Sequence, residues 1–437
     1  MTLDVTYGVP TVAIHTHRFH AVSQAVARAN GTPRMRQVYV PQPVMGKTDA
    51  ELRAYLEGRD PITGKPVMQE VVDGLTGLLA EDDIKGLSYE RSTPRLCEPA
   101  TPAELRRLFL DNDWTDKLPI VLPTEERVRE MLQHTSHRPD EVVGHMRPTN
   151  HREAWEYTVE KVAVNAVMAG AEPAFFPVIL ALAASGISAR GSSSGSLAKM
   201  VVVNGPIRNE LHMNSGIGAM GPYNLANATI GRAYGLLSQN LQGGSVPGQT
   251  YMGSQGNGYS YNNLCFAENE ERSPWEPLHV QRGFKPDDSV VTIFNGCPTT
   301  AFTLGLRAKH WREHLRFMLL GMEPDFPPTL VLDPLTAHQF IEIAGLKTKQ
   351  DIIDWVYEAA QMPAGIYWDY QLTQNYKYPR ATFGEEPWAS MLRPDDELIH
   401  MFRREEINVV VVGGESNAYW RIMGASAQRS VCVDDWR

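Results

Sequence analysis

Apolar residues at the beginning of the chain occur in short runs that alternate with amphipathic segments. Residues 9–16 and 37–40 are apolar and rich in β-branched side chains, a pattern typical of buried strands. Residues 20–30, 49–56 and 66–79 have apolar positions at helical spacing. This β-α-β-α order predicts parallel strands that are joined by right-handed crossovers.

The last third of the chain repeats the alternation of apolar runs and amphipathic segments. Buried strands are predicted at 289–294, 329–332 and 408–412. Helices are predicted between them, at 300–320, 337–344 and 349–361. The pattern indicates a second α/β unit.

The middle of the chain differs in its composition and in its pattern of apolar positions. Helices at 153–169 and 173–184 precede a strand at 199–203. Residues 204–263 are then dominated by Gly, Asn and Ser, with one helix at 224–239. Because Met, Tyr and Leu occur throughout this stretch, we expect an ordered, packed loop system and not a linker.

A turn-rich segment at 81–101 marks a domain boundary. Thr101, Pro102 and Glu104 follow it with the spacing of a capping box that begins a helix. We therefore predict a small α/β domain (1–90), a loop-rich central α+β domain (96–285) and a C-terminal α/β domain (286–437) that packs with the centre. The predicted fold class is multi-domain α/β, with Rossmann-like, doubly wound parallel sheets at both ends.

Charge and cysteine content narrow the classes of function. The chain has 41 basic and 51 acidic residues, a net charge of −10, which argues against binding to nucleic acid or to an anionic membrane. No apolar run reaches the ~18 residues of a membrane span and no signal peptide is recognisable, so we expect a cytoplasmic protein. The four cysteines include no CxxC pair, which excludes a zinc ribbon and a thioredoxin-like motif.

Four long runs of sequence resemble the UGSC-type (seleno)protein family. They are LCEPATPAELRRL with WTDKLPIVLPTEERVREML (96–132), TVEKVAVNAVMAGAEP (158–173), VVNGPIRNELHMNSGIGAMGPYNLANATIGRA (202–233) and CFAENEERSPWEPLHVQRGFKPDDSVV (265–291). The first 80 residues also look like the small α/β domain for which the family is named. The resemblance implies a selenocysteine- or cysteine-Gly-Ser-Cys redox motif near the start of that domain. No cysteine precedes Cys97 here, so the sequence disfavours a thiol-redox function.

Cys297 is the first candidate for a catalytic residue. It follows the predicted strand 289–294 through Asn295 and Gly296, and Pro298 suits the first turn of a following helix. Ligands of open α/β sheets bind beyond the carboxyl ends of strands, and a helix N-terminus favours the thiolate. Cys297 is therefore a candidate nucleophile, and the alternative is a small buried side chain.

A second candidate is the segment Gly413, Gly414 and Glu415, which follows the predicted strand 408–412. Two glycines allow a backbone to approach a ligand closely, and Glu415 offers an acid or base. The alternative interpretation is a tight turn between a strand and a loop.

Glu268 is a third candidate, because it lies within four residues of Glu270 and Glu271. Crowded carboxylates raise one another's pKa and can supply general acid and base groups. The alternative is a solvated charge cluster. Lys161, on the predicted helix 153–169, is a further catalytic candidate whose alternative is a surface charge.

The asparagine-rich stretch can present many donors and acceptors to a polar ligand. We expect substrate contacts from Asn204, Asn214, Ser215, Asn224 and Asn227, together with Gly413 and Gly414. The alternative is turn chemistry, because Asn and Gly tolerate positive φ.

Two histidines at the end of the first strand, His15 and His17, share one strand face and are weak candidates for metal ligands. No HExxH motif or fixed third ligand accompanies them, so no cofactor is predicted and a metal ion stays an open alternative.

Together these residues predict an enzyme that transforms a small polar metabolite by hydrolysis or elimination, with a carboxylate acid/base and Cys297 as a candidate nucleophile. The site is expected at the strand ends marked by Gly296 with Cys297 and by 413–415, facing the loops of 204–279. The alternatives are a non-catalytic small-molecule-binding protein and a thiol-redox protein. Homo-oligomerisation is left open.

Overall fold

A computed structural model describes Leu3 and residues 7–29, 34–44, 46–78, 94–145, 156–190, 198–242, 256–296 and 299–437. The strands in these ranges are β1 (Ala13–Thr16), β2 (Gln37–Val40), β3 (Val142–His145), β4 (Glu156–Thr158), β5 (Met200–Asn204), β6 (Cys265–Ala267), β7 (Val290–Asn295), β8 (Thr299–Leu304), β9 (Pro328–Leu332), β10 (Gln361–Pro363), β11 (Leu398–His400), β12 (Asn408–Val411), β13 (Tyr419–Gly424) and β14 (Ser426–Cys432).

The helices are α1 (His20–Ala29), α2 (Asp49–Glu57), α3 (Val67–Thr76), α4 (Pro102–Asp111), α5 (Glu125–Leu132), α6 (Val159–Ala169), α7 (Phe176–Ala184), α8 (Ile207–Glu210), α9 (Leu225–Leu241), α10 (Leu278–Gln281), α11 (Trp311–Leu320), α12 (Pro334–Glu342), α13 (Lys349–Ala359), α14 (Ala364–Asp369) and α15 (Tyr378–Thr382). A π-helical turn, Thr373–Lys377, separates α14 from α15. Short 3-10 turns occur at His17–Phe19, Pro173–Phe175, Gly258–Tyr261, Ala389–Met391, Arg404–Glu406 and Asp434–Trp436.

The N-terminal unit pairs β1 with β2 in parallel, as the β-α-β-α pattern predicts. Its small core contains Val38, Val40 and Val67, which join β2 to α3. Short apolar runs such as these are sufficient to bury one strand against one face of a helix, as expected for a small α/β unit.

Two four-stranded mixed sheets form the rest of the α/β framework. The first, which we call the central sheet, has the order β14-β7-β5-β6, and the second, the C-terminal sheet, has the order β12-β9-β13-β8. In the central sheet, β5 and β6 are parallel whereas β7 is antiparallel to β5. In the C-terminal sheet, β9 and β12 are parallel whereas β13 is antiparallel to β9. The predicted boundary at residue 285 falls between β6 and β7 of the central sheet.

The two sheets pack face to face with a helical layer on each outer side. Apolar side chains of both sheets, including Val202, Phe294, Val331 and Val410, form the core between them. On the outer side of the central sheet, alternate residues of β5 and β7 pack against α6, α7 and α9. On the outer side of the C-terminal sheet, a third core packs against α11, α12 and α13. The resulting layers are helices, sheet, sheet and helices.

The α/β class is confirmed, and several local predictions agree with the structure. The capping box of α4 has both reciprocal hydrogen bonds between Thr101 and Glu104. The helix predicted at 300–320 is wrong in its first part, because Thr299–Leu304 is strand β8 and the helix begins at Trp311. Threonine and phenylalanine in that stretch favour the extended backbone that β8 adopts beside β13. In the ranges that the structure describes, no helix is long and apolar enough to cross a membrane.

Candidate functional site

A cleft of about 340 Å³ opens where β9 and β12 end, between the C-terminal sheet and the glycine-rich loop before α9. Its lining includes Asp333 after β9, Gly413 and Gly414 after β12, Arg421 on β13 and the loop residues 217–221. Because β9 and β12 are parallel, their carboxyl ends meet at one edge of the sheet, where α/β proteins bind ligands. This volume lies at the small end of the range for ligand sites.

The two glycines beyond β12 are required by the backbone there. Gly413 has a φ of +111°, which side-chain-bearing residues rarely adopt. A Cβ on Gly414 would lie 2.0 Å from Cγ1 of Ile217 in the facing loop. The Gly413 N–H donates to the Ser215 carbonyl at 2.8 Å, which fastens the loop to the strand end. The predicted proximity of this segment to the 204–279 loops is therefore present.

The loop that faces the glycines is built by asparagine side chains. Asn227 accepts from the Asn214 N–H and donates to the carbonyls of Asn214 and Ala219. Asn214 in turn donates to Asn224, and Asn224 donates to the Gly218 and Gly221 carbonyls. These amides satisfy the backbone of a tight loop, so their role is the turn chemistry that the sequence left as the alternative.

Arg421 lies on the face of β13 that is turned toward the other sheet. It pairs with Val331 of β9 and Phe302 of β8, whereas its neighbours Trp420 and Ile422 pack into the outer core. The side chain is partly buried and lines the cleft. No described residue hydrogen-bonds or ion-pairs with its guanidinium. The guanidinium carbon lies 5.4 Å from the centre of the Tyr419 ring.

Asp333 is the buried carboxylate of the cleft. It is the N-cap of α12, where Oδ1 accepts from the Thr336 N–H at 2.8 Å. Oδ2 accepts from the Tyr419 N–H at 2.5 Å, which joins the end of β9 to the start of β13. A carboxylate has about four acceptor sites, so these two bonds leave acceptor capacity toward the cleft.

Glu268 lies just beyond β6 and is completely buried. Its Oε1 accepts from Nζ of Lys349 at 3.0 Å, and neither side chain is exposed. Its Oε2 accepts from Asn204 and from the Leu278 N–H, both at 2.7 Å. The carboxylate thereby ties β5, α10 and α13 together, and these contacts are those of a structural charge pair.

Glu270 and Glu271 are held by Arg208 of α8. The Arg208 side chain is 6% exposed and lies 3.1 Å from Glu270 and 2.7 Å from Glu271. The hydrogen bond from Arg208 lowers the pKa of Glu271 to about 2. The expected crowding of carboxylates is thus offset here by the Arg208 cation, which favours the ionised form of Glu271.

Asn269 connects this buried network to the cleft. Its backbone N–H donates to the Val411 carbonyl at 2.8 Å, and its side chain donates to the Gly413 carbonyl at 2.9 Å. Glu268 and Gly413 therefore belong to one continuous structure, although only Gly413 lines the cleft.

The other predicted residues lie elsewhere. Cys297 is outside the described residues, and β7 runs toward the end of the central sheet at which β5 begins, away from Asn204. The expected convergence of the Gly296 strand end with Gly413 is therefore wrong. Glu415 is exposed on the rim and pairs with Arg272 at 3.5 Å. Lys161 is on α6 in the outer helical layer.

His15 and His17 each have one buried ring nitrogen without a hydrogen-bond partner. Burial lowers the pKa of His15. In the part of the chain that the structure describes, no group of three or more His, Cys, Asp or Glu side chains is arranged to hold a metal ion.

A larger cavity, of about 850 Å³, lies where β7 ends and β14 begins. Lys377 lines it, and its ammonium lies 2.6 Å from Asp325, 3.2 Å from the Pro324 carbonyl and 3.3 Å from the Tyr367 hydroxyl. Those three partners use the three protons of the ammonium, so this cation is satisfied within the protein.

Sequence reasoning missed both Asp333 and Arg421. Asp333 had a usable signal, because Asp-Pro directly after an apolar run is typical of a helix N-cap at a strand end. Arg421 had none, because a single arginine in a strand gives no indication of which face it occupies until the pairing is known.

The comparison with protein families gives a match in the N-terminal unit. Residues 5–61 match the model of the UGSC family. The chain carries a UGSC-type N-terminal domain. The matched residues of this UGSC-type domain include β1, β2 and both predicted metal-ligand histidines, whereas the four motif runs between 96 and 291 lie outside the match. No curated protein and no solved structure matches the chain.

Proposed function

We propose that this chain is an enzyme that transforms a small polar metabolite, by hydrolysis or elimination, in the cleft beyond β9 and β12. The observation that carries the proposal is the Asp333 carboxylate, which lines a 340 Å³ cleft at the ends of two parallel strands. A carboxylate with a fixed orientation and spare acceptor capacity suits a general acid or base.

The surroundings of Asp333 support this role. The N–H groups of Thr336 and Tyr419 fix both oxygens, so the carboxylate does not have to be ordered when a ligand binds. Beside Asp333, at the end of the neighbouring strand, Gly413 and Gly414 bring backbone close to the same space without side chains that would fill it. The cleft volume suits a metabolite and not a dinucleotide.

Replacement of Asp333 by Asn tests the catalytic proposal. Asn also serves as an N-cap and keeps the side-chain shape while the proton-accepting carboxylate is lost, but its one oxygen can accept from only one of the two N–H groups. Thermal unfolding of the variant, measured beside turnover, separates a loss of folding from a loss of chemistry. Incubation of the chain with a defined mixture of small carboxylates, amides and phosphate esters, followed by mass spectrometry, measures turnover. We expect Asp333→Asn to lower turnover by about 10²–10⁴-fold.

The exposed Asp396→Asn is the matched control and keeps wild-type turnover. Equal turnover by Asp333→Asn and wild type would overturn the role of Asp333. A second candidate function is non-catalytic binding, which is favoured by the two hydrogen bonds that occupy Asp333. It predicts that the wild type retains a ligand and converts nothing in the same mixture.

A further inference from the structure

Arg421 is the feature of the cleft that the proposed reaction leaves without a role. Its strand alternates strictly: Trp420 and Ile422 point into the outer core, and Tyr419, Arg421 and Met423 share the face between the sheets. Along that face the neighbouring positions of β9 and β12 carry apolar residues such as Val331 and Val410. A guanidinium at such a position costs desolvation free energy unless something compensates for it.

No described residue supplies a hydrogen bond or a counter-charge to the guanidinium. Neither the carboxylate that lines the cleft nor the one on its rim is bonded to it: Asp333 accepts from two backbone N–H groups, and Glu415 pairs with Arg272. Two other arginines at internal positions contrast with this one. Arg208 binds two glutamates, and Arg232 binds Asp116 at 2.9 Å. Among the described residues, Arg208 and Arg232 are thus paired with carboxylates, whereas the partly buried Arg421, which lines the cleft, has no such partner.

We infer that Arg421 is the anchor for an oxyanion, so that the ligand of the cleft is a small organic anion that carries a carboxylate or a phosphate. The guanidinium presents donors in a planar fork that matches two oxygens of either group. The Tyr419 ring, 5.4 Å away, stabilises the cation without using its donors. This inference rests on the proposed function for the position of the site and adds the class of substrate.

The charge of the whole chain makes a local anchor necessary. With a net charge of −10, the long-range field repels anions. At physiological salt that field is screened over about 8 Å, whereas a contact in a partly closed cleft is screened much less. Attraction for an anion therefore has to come from a cation at the binding distance, and Arg421 is a cation that lines the cleft.

Binding measurements on the full chain test the inference. Succinate, inorganic phosphate and the neutral analogue succinamide are titrated by calorimetry and by thermal shift. We expect at least one oxyanion to bind and stabilise the wild type, and succinamide not to bind. Arg421→Gln should weaken oxyanion binding by about 10–100-fold, as the loss of charge-assisted hydrogen bonds implies. Arg421→Lys, which keeps the charge and loses the fork, should fall between the two.

The stability of the ligand-free variants separates an anchor from a structural residue. Since no described residue hydrogen-bonds or ion-pairs with Arg421, Arg421→Gln should unfold at the same temperature as the wild type or at a higher one. The exposed Arg316→Gln on α11 is the control and should keep wild-type oxyanion affinity.

Each outcome has a distinct meaning. Unchanged oxyanion affinity in Arg421→Gln, or equal binding of succinamide, overturns the inference. Preference for succinate or for phosphate decides between the two anion sources. An oxyanion that binds through Arg421 and is not converted supports the inference and contradicts the proposed enzymatic function. If the chain converts neutral compounds and no anions, the enzymatic function is supported and the inference is contradicted.

Discussion

The buried pair of Glu268 and Lys349 gives the sharpest test of how the layers are held together. Nζ of Lys349 lies 3.0 Å from Oε1 of Glu268, and both side chains are completely buried. Lys349→Met keeps most of the side-chain volume and removes the cation. The carboxylate then stays buried with its hydrogen bonds to Asn204 and Leu278 but with no counter-charge.

The expected cost follows from the uncompensated charge. At an effective dielectric constant of 20, two unit charges at this distance attract by roughly 5–6 kcal/mol. The desolvation of both groups offsets part of that attraction, and the loss of one partner of a buried pair typically costs about 3–5 kcal/mol. We therefore expect Lys349→Met to lower the free energy of unfolding by about 3–5 kcal/mol, a large share of the stability of an ordinary domain.

Urea denaturation followed by tryptophan fluorescence measures this change. The exposed Lys309→Met is the control and should change the free energy of unfolding by no more than about 0.5 kcal/mol. The double variant Lys349→Met with Glu268→Gln removes both charges and should be more stable than Lys349→Met alone. A loss below about 1 kcal/mol in Lys349→Met, or no recovery in the double variant, would refute the reasoning.

Three further predictions concern thiols, pH and the asparagine loop. Burial raises the pKa of Cys265 to about 12, so a thiol reagent at pH 8 should modify exposed Cys97 in the native chain and Cys265 only after unfolding, as peptide mapping can show. Arg208 lowers the folded-state pKa of Glu271 to about 2, so the stability that this pair adds is present above pH ~4.5 and is lost as the pH falls toward 2; Glu271→Gln should cost up to about 1 kcal/mol at pH 7 and nothing near pH 2. Asn227→Ala should lower the free energy of unfolding by about 1–3 kcal/mol, because it leaves buried groups of the loop unpaired; a cost below about 0.5 kcal/mol would contradict the role of this side chain in building the loop.

Much of the local structure could be predicted because its causes are local. The apolar run before Gly413 indicates a buried strand, and the structure has β12 there. The capping residues of α4 act within four positions of one another. Signals of this kind depend on side chains and backbone groups that are close in sequence.

The assembly of the sheets could not be predicted in the same way. The central sheet pairs β7 with β14, whose residues are more than 100 positions apart in the chain. The direction of β7 decides that the Gly296 end lies away from Asn204, and an apolar run carries no information about direction. The predicted meeting of Cys297 with the glycine segment therefore depended on a sheet topology that the sequence does not encode locally.

The candidate site likewise contains features that local sequence predicts and features that depend on the assembly of the sheets. Gly413 was singled out because two glycines that follow an apolar run are visible in the sequence, and the structure gives Gly413 a positive φ. The asparagines were predicted as ligand contacts, yet their amides bond to the loop itself, since local backbone groups are closer than any ligand. The position of Arg421 on the face between the sheets is known only from its pairing with Val331, so the sequence alone could not assign it to the site.

The most direct test of an oxyanion site in the cleft is a crystal structure of the wild-type chain with the oxyanion that stabilises it most. We expect ligand density beyond β9 and β12, with anion oxygens about 2.7–3.2 Å from the Arg421 guanidinium. We also expect the remainder of the ligand between Asp333 and Gly414. An ordered ligand in the larger cavity beside Lys377, with none in the cleft, would contradict this site.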